Sequence, residues 1–197
     1  MKAARIPFKE VWIPLHTETF ENEIKKYSPS GRVPVLIDGT LAIWESLAIC
    51  EYVAEQFPEK LLWPEDVRAR AAARSIGSEM HAGFQNLRKH FPMNVRLEVP
   101  AKSRPKEVDD DIDRITSIWN DCRKRYGKEG SMLFGHFTIA DAMFAPIVLR
   151  FRTYSIKVDS VSEAYMNSIL ALPAMSEWIK AAKAEQETIP EYDQLSR

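Results

Sequence analysis

The feature that most constrains the fold is a turn dipeptide, Asp38-Gly39, set between two short β-rich runs, Val35 to Ile37 and Leu41 to Trp44. An Asp-Gly pair tolerates the positive φ angles of a two-residue hairpin loop, so the spacing predicts an antiparallel hairpin. Directly after it, Leu47, Cys50, Val53 or Ala54, and Phe57 recur at steps of three or four. The second strand therefore runs into a helix that buries one face. Glu45-Ser46 marks the joint. A helix beginning there leaves its first N–H groups without partners inside the helix, and the serine hydroxyl adds one more donor beside them. Such a place suits a carboxylate or phosphate. The alternative is that Glu45 or Ser46 simply caps the helix.

The chain has 197 residues, enough for one large domain or two modest ones with a real core. Apolar residues at 45% and charged ones at 28% fit an ordinary soluble globular protein. The net charge is −1 and the longest basic run is Arg123-Lys124-Arg125. A nucleic-acid surface needs clustered cations to displace phosphate counterions, so that class of partner is not expected. No stretch nears the ~18 consecutive apolar residues of a membrane span, and the first residues lack the apolar core of a signal peptide. A cytoplasmic protein with no membrane partner is the expectation. Cys50 and Cys122 fall on apolar helix faces, which predicts buried thiols rather than a disulfide. His16, His81, His90 and His136 show no ligand spacing, and no metal is expected.

Taken in order, Met1 to Ile6 reads as the tail of a helix stopped at Pro7. Phe8 to Leu15 alternates as a short strand does. A polar helix opens at Thr17 or Glu18 and runs to about Tyr27, and Ser28-Pro-Ser-Gly31 is a turn. Pro58 to Pro64 is a linker by its two prolines, and everything beyond reads as helix. One helix, from about Glu65 to Phe91, places Ala69, Ala72, Ile76, Met80, Phe84, Leu87 and Phe91 on one side. Another, from about Lys106 to Tyr126, has Val108, Ile112, Ile115, Trp119, Cys122 and Tyr126 at strict helical spacing. Phe137 to Leu149 is nearly all apolar, suiting a helix buried on most sides. Its Thr138 and Asp141 have capping-box spacing, worth about 1 kcal/mol, and Pro146 predicts a kink near Ala142. Two shorter helices follow, about Ser162 to Ala171 and Pro173 to Glu185, with Trp178 and Ile179 expected to face inward. The tail from Glu187 has no clear period.

Val33-Pro34-Val35-Leu36, then a hairpin, then Glu45-Ser46 opening a helix resembles the glutathione-binding half of the cytosolic glutathione S-transferases of bacterial type. The resemblance implies an α/β plus all-α fold: a thioredoxin-like domain over residues 1–57, a linker over 58–66 and an all-helical domain over 67–197. Against that pattern, the first strand and most of the first helix are missing. The missing strand would lie between the Phe8 run and the Val33 strand, so the Phe8 run lacks a hydrogen-bonding neighbour in its own domain. The resemblance also implies that Pro34 is cis, that the Val33 backbone pairs with the cysteinyl part of glutathione, and that Glu45 and Ser46 hold its γ-glutamyl end. Arg32 either reaches the glycine carboxylate, which a guanidinium grips bidentately, or is a solvated turn residue. Met80, Phe84 and Arg88 either border the apolar substrate pocket or are plain core. Asp141 is read as a folding cap, not a catalytic group.

The implied reaction lowers the glutathione thiol pKa, by a hydrogen bond and a helix N-terminus, so that the thiolate attacks a small apolar electrophile. Glutathione is then a co-substrate. The activating serine, tyrosine or cysteine is expected upstream of Met1 and stays unassigned, with Met1 expected to be a misplaced start or a truncation. A homodimer through the helix from Glu65 is implied. Two alternatives remain open: a glutathione-dependent isomerase of a cis dienoic acid, and a non-catalytic module that keeps the fold and binds or regulates.

Overall fold

Residues 35–44 form the predicted hairpin in the computed structural model, which describes residues 1–100 and 103–189. Strand β1 (Val35–Asp38) pairs antiparallel with β2 (Leu41–Trp44), from Val35 opposite Trp44 to Asp38 opposite Leu41. The loop is therefore Gly39-Thr40, one residue later than the Asp38-Gly39 turn read from the sequence. Gly39, at φ +58°, takes the first loop position, where a positive φ is required. Helix α2 (Ser46–Gln56) follows β2 directly, and the Tyr52 hydroxyl donates to Asp38 Oδ2 at 2.6 Å, tying the helix to the loop end of the hairpin.

The chain divides into two compact units, Met1–Leu61 and Leu62–Arg197. In the first, a 3-10 turn (Lys2–Ala4) and a short helix α1 (Phe20–Ile24) precede the hairpin, replacing the longer helices expected there. Ile6, Ile24 and Val53 are buried. The strand expected over residues 8–15 does not form: the sheet among the described residues has β1 and β2 alone. Alternation is necessary for a half-buried strand but not sufficient, because an unpaired strand leaves its amides and carbonyls to water. Accordingly Phe8, Val11, Trp12 and Leu15 are exposed, Trp12 by 57%.

Among its described residues the second unit is helical, apart from isolated bridges between Met132 and Gly135 and between Phe134 and His136. The single helix expected over 65–91 is two, α3 (Val67–Ala82) and α4 (Gln85–His90), broken at Gly83-Phe84. A Cβ on Gly83 would lie 2.6 Å from the Glu79 carbonyl oxygen, and Phe84 sits at φ +58°. The break is held from two sides. The Arg88 guanidinium donates to the Gly83 and Met80 carbonyls at 3.1 and 2.7 Å, and Asp111 accepts the Leu87 N–H at 2.9 Å.

Helix α5 (Lys106–Tyr126) buries Val108, Ile112, Ile115, Trp119 and Cys122 of the face read from the sequence, and adds Ile118, while Tyr126 is half-buried. Around Trp119 close α6 (Ile139–Thr153) and α7 (Ser160–Leu170), with ring centroids of Phe144, Phe151 and Tyr165 at 5.9, 5.5 and 5.0 Å. Each such ring pair adds about 0.5–1.5 kcal/mol beyond its buried area. Cys122 is buried and Cys50 half-buried, both as free thiols. In α8 (Pro173–Ala184) the inward placement of Trp178 is not met, for the ring is 40% exposed.

Helix α7 starts on a cap that the sequence reading passed over. Asp159 Oδ1 accepts the Val161 and Ser162 N–H groups at 2.9 and 3.0 Å. Its Oδ2 accepts from the Ser162 hydroxyl at 2.7 Å and from Asn120 of α5 at 2.9 Å. Slight burial opposes ionisation, but these donors hold the carboxyl below its ordinary range. A depressed folded pKa contributes stability that is present above the unfolded value, near pH 4, and lost as pH falls through the folded one. Replacing Asp159→Ala is expected to cost about 1–2 kcal/mol at neutral pH. Urea unfolding at pH 7 and pH 3 checks it, with the gap to wild type shrinking at the lower pH.

Candidate functional site

The pairing of Val35 with Trp44 decides where the candidate residues meet. Continuing outward from that pair, Pro34 and Val33 lead into β1 while Glu45 and Ser46 lead out of β2, so all four stand at the open end of the hairpin. Arg32 precedes them on the same approach and is exposed. The Val33-Pro34 bond is cis, and Val33, 45% exposed, lies at the surface rather than in a core.

On the other side of that end, α2 begins at Ser46. Glu45 is its N-cap residue, yet the Glu45 side chain makes no cap hydrogen bond, and Ser46 is already inside the first turn. Glu45 is therefore the N-cap by position and not by a side-chain bond. The Glu45 carbonyl accepts the Ile49 N–H at 3.0 Å and starts the helical ladder. The exposed residues Val33 and Pro34 before β1 thus stand at the same end as a helix N-terminus with Glu45 and Ser46 after β2. That end of a helix carries partial positive charge and favours an anionic group, while the carboxylate favours an ammonium. A zwitterionic amino-acid head group satisfies both.

Glu45 adopts φ +67° and ψ +124°, a conformation that side-chain-bearing residues rarely take. Such outliers cost about 1–3 kcal/mol and persist where surrounding structure imposes them. Glu45→Gly is therefore expected to unfold at higher urea than Glu45→Ala, by about 1 kcal/mol, since both lack the carboxylate and only alanine keeps the strain. Paired urea melts check this.

Met80, Phe84 and Arg88, the alternative pocket residues, lie in the second unit, where Met80 and Phe84 are buried core and Arg88 staples the α3–α4 break. Partial burial lowers the Arg88 pKa. Among the described residues, no cluster of three or more His, Cys, Asp or Glu is placed to hold a metal, and no helix is long and apolar enough to cross a membrane. Ser28, in the turn before Arg32, is a buried polar residue that sequence reasoning passed over. Its one signal was a small hydroxyl residue opening a Ser-Pro-Ser-Gly turn.

The sequence of residues 1–56 matches the family model "Glutathione S-transferase, N-terminal domain". Residues 1–56 thus carry a glutathione S-transferase N-terminal domain. The chain is 38% identical over 71 residues to glutathione S-transferase Z1 of Arabidopsis thaliana, covering 36% of this chain and 32% of that protein. It is 39% identical over 75 residues to a probable maleylacetoacetate isomerase of Vibrio cholerae, covering 36% and 34%. These matches span about a third of each relative's length. Over nearly the whole chain the fold agrees with a glutathione transferase homologue from Burkholderia crystallised with bound glutathione. The TM-score is 0.68 at 21% identity, covering 93% of this chain and 88% of that one. The chain thus has a glutathione S-transferase fold, a thioredoxin-like region of reduced sheet followed by a helical C-terminal domain, the fold class read from its sequence.

Proposed function

We propose that this protein is a glutathione transferase that binds glutathione at the open end of the β1–β2 hairpin and conjugates its thiolate to small apolar electrophiles. The observation that carries the reading is the meeting of the exposed residues Val33 and Pro34 with Glu45, Ser46 and the start of α2 at that one end. Val33 pairs its backbone with the cysteinyl part of the tripeptide, Glu45 takes the γ-glutamyl ammonium, and Ser46 with the α2 N–H groups takes its carboxylate. Arg32 serves the glycine carboxylate. The positive end of α2 favours thiolate over thiol at a sulfur held nearby. The group that hydrogen-bonds the sulfur is left unassigned.

The isomerase of a dienoic acid is kept as a second reading, because the Vibrio cholerae relative matching this chain bears the isomerase name. Retention on glutathione-agarose, followed by assay with a chlorinated aromatic and with a cis dienoic acid, separates the readings. Retention with conjugation supports the transferase. Turnover of the dienoic acid alone supports the isomerase, retention without either supports a binding module, and no retention rejects all three. A cytoplasmic homodimer through α3 belongs to the same proposal, and light scattering checks it: a monomer mass at micromolar concentration rejects the dimer.

A further inference from the structure

Ser28 is 3% exposed, yet it opens a polar turn with an exposed serine, Ser30, two residues on. A buried hydroxyl is retained only where hydrogen bonds replace water. The Ser28 oxygen is 3.0 Å from the Ser30 hydroxyl and accepts the Arg32 N–H at 3.3 Å. Its backbone is fixed as well: the Ser28 N–H donates to the Ile24 carbonyl at 2.8 Å, and the Ser28 carbonyl accepts the Gly31 N–H at 3.1 Å. Ile24 is itself buried at the end of α1. A chain of contacts therefore runs from the core of the first unit, through Ser28, to the amide of Arg32, one residue before Val33.

Gly31, at φ +66°, reverses the chain inside this loop. Nothing lies within 4 Å of a Cβ added there, so packing around Gly31 does not hold the turn. The Ser28 carbonyl closes the turn on the Gly31 N–H, and the Arg32 N–H beyond it is held by the Ser28 hydroxyl. Without that hydroxyl, Arg32 loses the bond that fixes its peptide plane, and the backbone of Val33 inherits that freedom.

From this geometry we infer that Ser28 is a positioning residue for the proposed glutathione edge: its buried hydroxyl holds the Arg32 amide and so presents the Val33 backbone in one orientation. The inference rests on the glutathione reading and deepens it. It predicts a split between binding and folding, because pre-ordering a recognition edge lowers the cost of binding there.

The test compares wild type, Ser28→Ala and Ser28→Thr by two readouts. Amide exchange, measured without ligand, should show the Arg32 N–H exchanging roughly tenfold faster in Ser28→Ala and near wild type in Ser28→Thr. Glutathione titration should show Kd weakened roughly tenfold in Ser28→Ala and largely restored in Ser28→Thr. The Ser28→Ala melting midpoint should stay close to wild type. Unchanged exchange at Arg32, or unchanged Kd in Ser28→Ala, overturns the inference. Should Ser28→Ala fail to fold, Ser28→Cys, similar in shape but a poor acceptor, takes its place under the same criteria. Absence of glutathione binding by wild type overturns the binding role, and the exchange arm then shows separately whether Ser28 anchors Arg32.

Discussion

Replacing Asp141 with alanine is expected to destabilise the protein by about 4 kcal/mol, several times the value of an ordinary helix cap. Capping-box spacing alone suggested about 1 kcal/mol. The structure raises that figure because Asp141 is fully buried and serves three donors. Its Oδ2 accepts from the Thr138 N–H at 2.8 Å and the Thr138 hydroxyl at 3.0 Å, while Oδ1 accepts the Leu133 N–H at 3.1 Å. Thr138 and Leu133 are both fully buried, so water does not replace the lost acceptor. Each donor stranded in a core costs about 1–3 kcal/mol. Set against a total stability of about 5–15 kcal/mol, the loss leaves a much reduced margin. Asp141→Asn should also be harmful, because its NH₂ group would meet N–H donors at one position. Urea denaturation of both variants checks this; a loss under about 1 kcal/mol for Asp141→Ala would contradict it.

The second large effect is on binding. Glu45→Gln removes the charge proposed to meet the γ-glutamyl ammonium and keeps nearly the same shape. Hydrogen bonds to charged groups contribute about 1.5–3 kcal/mol, so glutathione affinity should fall by about 10- to 100-fold. Ser46→Ala, which removes a neutral hydroxyl, should lower affinity by about tenfold or less. Circular dichroism melts of both variants report whether each keeps the fold. Loss of binding together with loss of fold would assign the pair a structural role instead.

What was legible in the sequence was what local pattern controls. Helix α5 carries a long stripe of apolar residues at helical spacing, and every buried position on it except Ile118 was read from that spacing. The hairpin and the start of α2 at Glu45-Ser46 follow from turn chemistry and a change of period. The hairpin loop was placed one residue early because Asp38 and Gly39 both favour turns, and only the pairing of Asp38 with Leu41 shows that Asp38 remains in the strand. Residues decided by distant partners were not legible. Phe8 to Leu15 has the alternation of a strand, but pairing needs a neighbour that the described sheet does not provide. The α3–α4 break depends on Asp111, 24 positions from the Leu87 amide it accepts. A continuous apolar stripe therefore concealed two helices. The candidate site divided the same way: Val33, Pro34, Glu45 and Ser46 announced themselves through the hairpin, whereas Ser28 mattered only once its burial was visible.

Calorimetric titration of glutathione into the folded protein addresses the central claim most directly. Saturable binding at one site per chain, weakened at least tenfold by Glu45→Gln, is the predicted result. No measurable uptake by folded protein, or affinity indifferent to Glu45→Gln and Ser46→Ala alike, would contradict it.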